Sequence, residues 1–251
     1  MSEKPETPKK SWYLACESSQ IGDRCLLIGD PARIDRIEAL LYKPSRPDPQ
    51  RGLEVVTGQA HGARISAVSF GMGAPIATIV LHELYDLGAK AFLRIGTAMA
   101  FPPVALGQFL IAEAALRREA TSLAYAPLEY PAAAGFEIQE ALRRQLGKAG
   151  ASWQSGVFAT FDGFYRDLFA LDESAAPQVE QNREEMCRLG VLAADMETSA
   201  ILTVGRTLGA MAGSLCLATV DALSRERIPA AEFRKKEEML FDLALRTLAD
   251  L

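Results

Sequence analysis

Along this chain, short runs of apolar residues alternate with segments whose apolar residues recur every three or four positions. The short runs predict buried strands and the spaced segments predict amphipathic helices, because a strand repeats its face about every 2 residues and a helix about every 3.6. The predicted strands are residues 24–28, 54–57, 64–70, 91–95, 108–112, 155–161 and 214–220. The predicted helices are residues 32–42, 75–87, 136–148, 184–208 and 230–251. This alternation predicts an α/β fold.

Glycine and proline mark the turns between these elements. Residues 44–50 read PSRPDPQ and predict a loop. The glycine-rich segment at residues 71–75 predicts a tight turn that leads into a helix with proline in its first turn and Gly88 at its end. Residues 64–95 then form a strand–helix–strand unit, which implies parallel strands joined by a right-handed crossover.

The domain organisation follows from length and continuity. A chain of 251 residues is long enough for one large α/β domain. No internal repeat and no long linker divides it, so we expect a single domain over residues 12–251. Residues 1–11 are polar and lack the apolar core of a secretion signal, which predicts a flexible tail.

Composition narrows the classes of partner. The net charge of −5 argues against nucleic acid, which requires a basic surface. No apolar run reaches about 18 residues, so no membrane partner is expected. The four cysteines form no CxxC pair and there are only two histidines, so neither a metal site nor a disulfide framework is expected. Reduced thiols predict a cytoplasmic location.

Two arginines stand in positions that call for an anion. Arg94 interrupts the apolar run at residues 91–97, and a buried guanidinium is costly unless a carboxylate or a bound anion meets it. The structural alternative is an ion pair with Glu83 or Asp86. Arg33 follows a strand in Gly-Asp-Pro-Ala-Arg, where free backbone amides and a helix N-terminus favour anion binding, unless this is only a turn with a surface arginine.

Further chemistry is carried by acids and aromatic residues. Asp195 and Glu197 lie in an otherwise uncharged stretch, where a carboxylate either binds a sugar diol or compensates a helix dipole. Phe164 and Tyr165 follow a strand and either stack on a ring or belong to the core.

These motifs, taken together and in order, resemble the nucleoside phosphorylase-I family. Gly-Asp-Pro-x-Arg at 29–33, Arg-Ile-Gly-Thr at 94–97, Phe-Tyr at 164–165 and Met-Glu at 196–197 carry the likeness, which runs from about Tyr13 to the C-terminus. Within the family, the sequence is most similar to bacterial uridine phosphorylases, with residues 93–97 and 126–131 as the most specific segments. The resemblance implies a mixed β-sheet that forms a distorted barrel flanked by helices.

The resemblance also implies a reaction and a set of site residues. Phosphate attacks the anomeric carbon of a nucleoside, the base leaves, and ribose 1-phosphate forms with inversion. The family implies no cofactor apart from phosphate as co-substrate, although a monovalent cation is compatible with it. Phosphate binding is implied for Gly29, Arg33, Arg51, Arg94 and Thr97, ribose binding for Tyr13, Met196 and Glu197, and base binding for Phe164, Ala98, Met99, Arg166 and Asp221.

The assembly implied is a homohexamer built from dimers, in which Arg51 and Tyr13 cross the dimer interface. Tyr13 stands where the family has a histidine, and Met99 where it has a glycine. The glutamine and arginine that read uracil are missing after Phe164-Tyr165, where only Arg166 follows. Asp221 lies near the sequence position at which purine-selective relatives have an acid that protonates the base. An acid here could also cap the turn that follows the strand.

Three functions are therefore compatible with the sequence. The first is a nucleoside phosphorylase with uridine as the nominal substrate, or a purine-type enzyme with a rewritten base pocket. The second is a phosphate-independent nucleosidase. The third is a nucleoside- or phosphate-binding protein that has lost catalysis. The changes at Met99 and at Ile76, where the family has a serine after the proline of the glycine turn, would favour it.

Overall fold

The computed structural model describes residues 9–251. Its strands are β1 (Arg24–Ile28), β2 (Tyr42–Ser45), β3 (Glu54–Ala60), β4 (Ala63–Ser69), β5 (Ala91–Ala100), β6 (Phe109–Arg118), β7 (Ala132–Ala133), β8 (Trp153–Phe161), β9 (Ala193–Asp195) and β10 (Met211–Asp221). Its α-helices are α1 (Ile34–Glu38), α2 (Ala74–Asp86), α3 (Phe136–Lys148), α4 (Ala176–Arg188), α5 (Thr198–Thr207) and α6 (Ala230–Ala249). Single helical turns also occur at Ser18–Gln20, Pro31–Arg33, Thr121–Ala124 and Phe164–Leu168.

The strands form one mixed sheet that closes on itself. Its order is β10-β6-β8-β9-β5-β1-β4-β3-β2, and β10 also pairs with β5. Strands β5, β9, β8, β6 and β10 therefore make a closed barrel, and β1, β4, β3 and β2 continue the sheet from β5. The predicted distorted barrel within a single α/β domain is confirmed.

Helices cover both faces of this sheet. Buried side chains of α2 and α5, such as Leu81 and Leu202, pack with Phe92 on one face. Side chains of α3 and α6, such as Leu142 and Phe241, pack on the other. A smaller apolar cluster around Met99 lies beneath α4. Burial of apolar surface between layers is the main stabilising term, worth about 25 cal/mol per Å².

Strand β5 exchanges neighbours part-way along one edge. Its residues 91–95 pair with β1 in parallel, whereas Met99 and Ala100 pair with β9 in the antiparallel sense. Between them lies the β5 junction (residues 96–98), which pairs with neither strand. A junction of this kind, just beyond the carboxyl end of β1, is where α/β sheets commonly bind ligands.

Most predicted elements are present, and two helices differ. The helix predicted over residues 32–42 is wrong beyond Glu38, because Tyr42–Ser45 joins the sheet as an edge strand on β3. The continuous helix predicted over residues 184–208 is also wrong. It is interrupted by β9, which closes the barrel between β5 and β8. Apolar periodicity alone could not distinguish a short buried strand from a helical segment.

Part of the predicted tail falls on residues 1–8, outside the described residues. Residues 9–11 make contacts with the domain: Lys9 pairs with Asp86, and the backbone amide of Ser11 donates to the carbonyl of Cys16 at 2.9 Å. The folded chain thus begins slightly before residue 12. No helix within residues 9–251 combines the length and apolarity needed to cross a membrane.

Candidate active site

Arg94 lies at the centre of a buried cluster of polar groups. Its side chain is about 6% exposed and forms ion pairs with Asp195, at 3.1 Å, and with Glu197. Its Nη1 also donates a hydrogen bond to the sulfur of Cys216. The alternative partners considered from the sequence, Glu83 and Asp86, are engaged elsewhere, because Glu83 accepts from the backbone of Tyr13 and Asp86 pairs with Lys9.

The backbone next to Arg94 is shaped to hold its guanidinium. A Cβ atom at Gly96 would lie 2.7 Å from Nη1 of Arg94, which is shorter than a van der Waals contact. A side chain at this position would therefore displace the guanidinium. Gly96 is therefore required for the guanidinium to pack against the β5 junction. Thr97 follows it in the junction and is half-buried.

Asp195 is the more firmly held of the two carboxylates. It ends β9 and is 5% exposed. One oxygen accepts from the hydroxyl of Thr160 at 2.9 Å, and the other accepts from the hydroxyl of Thr198 and faces Arg94. Strand, helix and arginine contacts thus all converge on this carboxylate. It anchors Arg94 within the barrel.

Glu197 links Arg94 to the glycine turn before α2. It is the residue that precedes α5, and one carboxylate oxygen accepts from the amide of Gly73 at 2.7 Å while the other meets Arg94. Gly71 and Gly73 have φ values of 88° and 102°, a region that favours glycine. A Cβ at Gly29 would lie 3.1 Å from the carbonyl oxygen of Gly71, so the turn after β1 closes against the same segment.

The charge of this cluster is set by burial and by ion pairing. Burial opposes the charged form of Arg94, but the facing carboxylates of Asp195 and Glu197 raise its pKa above the ordinary value. The guanidinium therefore stays cationic. Burial raises the pKa of Cys216, and the opposing effect of Arg94 does not cancel it. Cys216 is accordingly a neutral thiol whose sulfur accepts the hydrogen bond from Arg94.

One donor of Arg94 has no acceptor within residues 9–251. Its Nε is buried and unpaired, although both Nη atoms have partners. A buried donor without an acceptor costs about 1–3 kcal/mol, so such groups are rare in folded proteins. The Nε edge suits an oxyanion, because a guanidinium binds phosphate in a planar fork.

Arg33 is also buried, and its partner is a carboxylate that the sequence did not reveal. Its Nε donates to Glu237 of α6 at 2.7 Å. Two of the backbone amides that were predicted to be free at this turn are engaged within it. The carboxylate of Asp30 accepts from the amide of Ala32 at 3.0 Å, and the amide of Arg33 donates to the carbonyl of Asp30. The amides of Ala32 and Arg33 are therefore not available to an anion, and the side chain of Arg33 is the charged group of this turn.

Tyr13 and Arg51 lie together, although 38 positions separate them in the sequence. The guanidinium carbon of Arg51 is 5.2 Å from the centre of the Tyr13 ring, a cation–π distance. Arg51 is exposed and occupies a tight turn with Gly52, where both residues have positive φ. Neither side chain contacts Arg94 or Glu197 within the described chain. The two residues therefore share one surface, separate from the Arg94 cluster.

The residues expected around the base divide into two groups. Phe164 packs against the cluster that contains Met99, and it stacks on Phe169 with ring centres 6.1 Å apart. Ala98 points to the opposite face of β5 and packs in the cluster around Phe92. The structure thus brings Met99 and Phe164 together and leaves Ala98 apart from them.

Arg166 and Asp221 are occupied by local contacts. Arg166 is exposed and donates to the hydroxyl of Ser174 at 2.9 Å. Asp221 accepts from the amides of Leu223 and Ser224. Burial opposes its charged form, but these hydrogen bonds and the positive charge of Arg183 lower the pKa of Asp221 from its ordinary value. Asp221 is therefore ionised at neutral pH and caps a turn, which was the alternative reading of this residue.

Comparison with known proteins agrees with this geometry. The model of the phosphorylase superfamily matches residues 23–248. The chain belongs to this superfamily. Uridine phosphorylase of Escherichia coli is 35% identical over 214 residues, covering 84% of each chain, and that of Thermococcus kodakarensis is 29% identical over 253 residues, covering 99% of this chain and 91% of its own. A crystal structure of uridine phosphorylase from Vibrio fischeri, complexed with 6-hydroxy-1-naphthoic acid, superimposes with a TM-score of 0.83 and 28% identity over 96% of both chains.

Two residues that contact the arginines of this phosphorylase-superfamily protein were not predicted from the sequence. Cys216 lies in a plain apolar strand, and nothing in its surroundings in the sequence indicates that it meets Arg94. Glu237 did carry a signal: it falls on the same helical face as Leu240, Phe241 and Ala244, where an acid must find a cationic partner.

Proposed function

We propose that this protein is a nucleoside phosphorylase that acts on uridine. Hydrogen phosphate forms a bond to C1′ of the ribose while the bond from C1′ to the base breaks, and the base leaves with the electron pair. N1 of the departing base takes up the proton that hydrogen phosphate loses. The products are ribose 1-phosphate and uracil. Membership of the phosphorylase superfamily and the similarity to uridine phosphorylases over most of the chain support this assignment.

A single observation carries the proposal. Arg94 is a buried cation with an unpaired Nε, and it lies beside Glu197 at the β5 junction. A phosphate at the Nε edge would give this donor its acceptor. Arg94 would then contact both this phosphate and Glu197, the carboxylate that we assign to the ribose hydroxyls. Attack on C1′ requires this proximity, because holding the two reactants together replaces a bimolecular encounter.

The remaining roles follow from position. We assign Arg33, Thr97 and the turn at Gly29 to the phosphate, and Glu197 with Met196 to the ribose. Phe164 and Met99 form one apolar cluster and are assigned to the base. As the base departs, positive charge develops on the sugar, and the anionic phosphate and the carboxylate of Glu197 stabilise it.

The competing function is that of a nucleosidase, in which water instead of phosphate cleaves the bond between ribose and base. A nucleosidase has no use for a buried arginine with a free donor edge, so the arrangement around Arg94 favours phosphate as the nucleophile. The protonation of a purine base by Asp221 is disfavoured, since this carboxylate is ionised and bound to its own turn. These two points favour a phosphorylase that acts on pyrimidine nucleosides.

We also propose that the protein works as a dimer-based homohexamer. The Tyr13–Arg51 surface makes no contact with the Arg94 cluster of its own chain, so it is available to a neighbouring subunit. A cytoplasmic location is consistent with four free cysteines.

The test is a panel of purine and pyrimidine nucleosides assayed with and without phosphate. We expect uracil release from uridine that depends on phosphate and yields an equal amount of ribose 1-phosphate. Release of free ribose in phosphate-free buffer would show a nucleosidase. A purine nucleoside as the preferred substrate would overturn the assignment of the base.

A further inference from the structure

Glu237 is a buried acid on the apolar side of α6. It is 4% exposed, on a helix whose inward face is otherwise formed by residues such as Leu240 and Phe241. A carboxylate in such a place is retained only where cations meet it, because its desolvation is costly. Glu237 meets two: one oxygen accepts from Nε of Arg33 at 2.7 Å, and the other accepts from Arg36.

The two arginines depend on Glu237 to different degrees. Arg36 has further contacts, since its guanidinium carbon lies 4.9 Å from the centre of the Phe241 ring and one of its nitrogens lies 3.8 Å from Glu238. Arg33 has no other carboxylate within 4.0 Å among residues 9–251. Within residues 9–251, Glu237 is thus the one acid that pairs with Arg33, whereas Arg36 also lies against the Phe241 ring and near Glu238.

The contact uses only one edge of the Arg33 guanidinium. Nε is bound to Glu237, and neither Nη donates a hydrogen bond within the described chain. The end of the fork therefore stays available to an anion, while its orientation is fixed from behind. The three charges sum to one positive charge, since two arginines share one carboxylate, so the cluster still attracts phosphate.

We propose that Glu237 is a positioning residue for phosphate binding: it binds Nε of Arg33 and holds both Nη groups ready for the oxyanion. This inference rests on the proposed role of Arg33 in the phosphate site. Glu237 itself does not contact phosphate. Glu237 fixes the rotamer of Arg33 before phosphate binds, so that binding costs less side-chain entropy.

The experiment measures KM for phosphate and KM for uridine in three variants. Glu237→Ala releases Arg33, and we expect KM for phosphate to rise about tenfold while KM for uridine changes less than about twofold. Glu237→Gln keeps an acceptor for Nε of Arg33, and we expect an intermediate KM for phosphate. Thermal stabilisation by inorganic phosphate is measured in parallel, since it reports binding without turnover.

Arg24→Gln is the matched control. Arg24 of β1 donates to the carbonyls of Leu248 and Ala249 and so ties the same helix to the sheet without touching Arg33. We expect a lower Tm but unchanged KM values. The inference is overturned if Glu237→Ala leaves KM for phosphate unchanged, lowers it, or raises both KM values equally.

The two measurements separate this inference from the proposed function. A wild-type protein that releases no base but is stabilised by phosphate, with the stabilisation lost in Glu237→Ala, would contradict the function and support the positioning role. If the wild type is active and phosphate stabilises Glu237→Ala as much as the wild type, the function is supported and the positioning role is contradicted. Absence of any phosphate stabilisation in an inactive wild type would contradict both.

Discussion

At the scale of single residues, the site consists of charged side chains held by buried partners. Arg94 has Asp195 on one side and Glu197 on the other, and these two carboxylates differ in how firmly they are bound. Asp195 has two threonine hydroxyls besides Arg94, whereas the carboxylate of Glu197 has, among residues 9–251, only the amide of Gly73 besides Arg94. Glu197 is therefore the partner that can leave Arg94 at the lower cost when a substrate offers it other donors.

Met99 determines the space available to the base in this account. Met99→Ala removes an almost fully buried side chain from the cluster against which Phe164 packs, and we expect kcat/KM for purine nucleosides relative to uridine to rise about tenfold. The same change costs about 2–5 kcal/mol of stability because it leaves a cavity. Met186→Ala is the control, because Met186 lies in the same cluster on α4. An equal change of specificity in both variants would remove Met99 from the pocket.

Asp221 provides a prediction about pH. Because its pKa is lowered in the folded protein, its charge stabilises the fold above the unfolded pKa of about 3.9, and this contribution is lost as pH falls through the folded pKa. We expect Asp221→Asn to lower Tm at pH 7 and to match the wild type in strong acid.

The same variant tests the catalytic alternative. A general acid contributes about 10²–10⁴-fold to a rate, so a residue that only caps a turn should alter kcat/KM by less than about twofold between pH 6 and 8. Loss of a limb of the pH–rate profile in Asp221→Asn would return this residue to the mechanism.

At the scale of elements, an ion pair beside the β5 junction joins the proposed phosphate and ribose sites. Arg94 belongs to the first site and Glu197 to the second. Because Glu197 is an ion-pair partner of Arg94, an oxyanion bound at the Nε edge competes with Glu197 for the charge of the same guanidinium. Binding of an oxyanion to Arg94 should release Glu197 toward the ribose hydroxyls. The two ligands should therefore bind cooperatively.

This coupling can be measured with sulfate, which resembles phosphate in charge and shape and yields no ribose 1-phosphate. We expect sulfate to lower the Kd of uridine by at least about fivefold, and uridine to lower the Kd of sulfate by the same factor. In Glu197→Gln the coupling should weaken, since the amide forms no ion pair with Arg94. Equal uridine affinity with and without sulfate would show that the Arg94–Glu197 contact does not link the sites.

The elements also show what sequence patterns can reveal. Strands β1, β4 and β8 are recognisable as apolar runs, because helices cover both faces of the sheet. Helix α3 is recognisable from its periodicity, because one of its faces is buried. Strand β9 was hidden inside a predicted helix, since three residues are too few to display a period. Arg94 was recognisable because burial of a charge demands a partner, whereas the contact with Cys216 depends on the pairing of β5 with β10, which no local pattern encodes.

At the scale of the whole molecule, we propose that a second subunit completes the active site. Tyr13 and Arg51 contact each other on the surface and do not reach the Arg94 cluster of the same chain. Symmetric homodimers present the same surface to each other twice, so a residue of one chain can complete the site of its partner. The assembly would then be a condition of activity.

Mixing two inactive variants tests this arrangement. Arg51→Ala and Arg94→Lys should each lose most activity as pure proteins. If the chains exchange freely, about half of the dimers are mixed and one of their two sites has both arginines intact, so we expect about a quarter of wild-type activity. A mixture no more active than its components would show that Arg51 does not act across the interface.

The most direct test of the central claim is a crystal structure of the protein with bound phosphate. The account predicts one phosphate at the β5 junction, in contact with the Nε edge of Arg94 and with an Nη of Arg33. Phosphate bound elsewhere, with Arg94 still closed on Asp195 and Glu197 and Arg33 turned away, would contradict it.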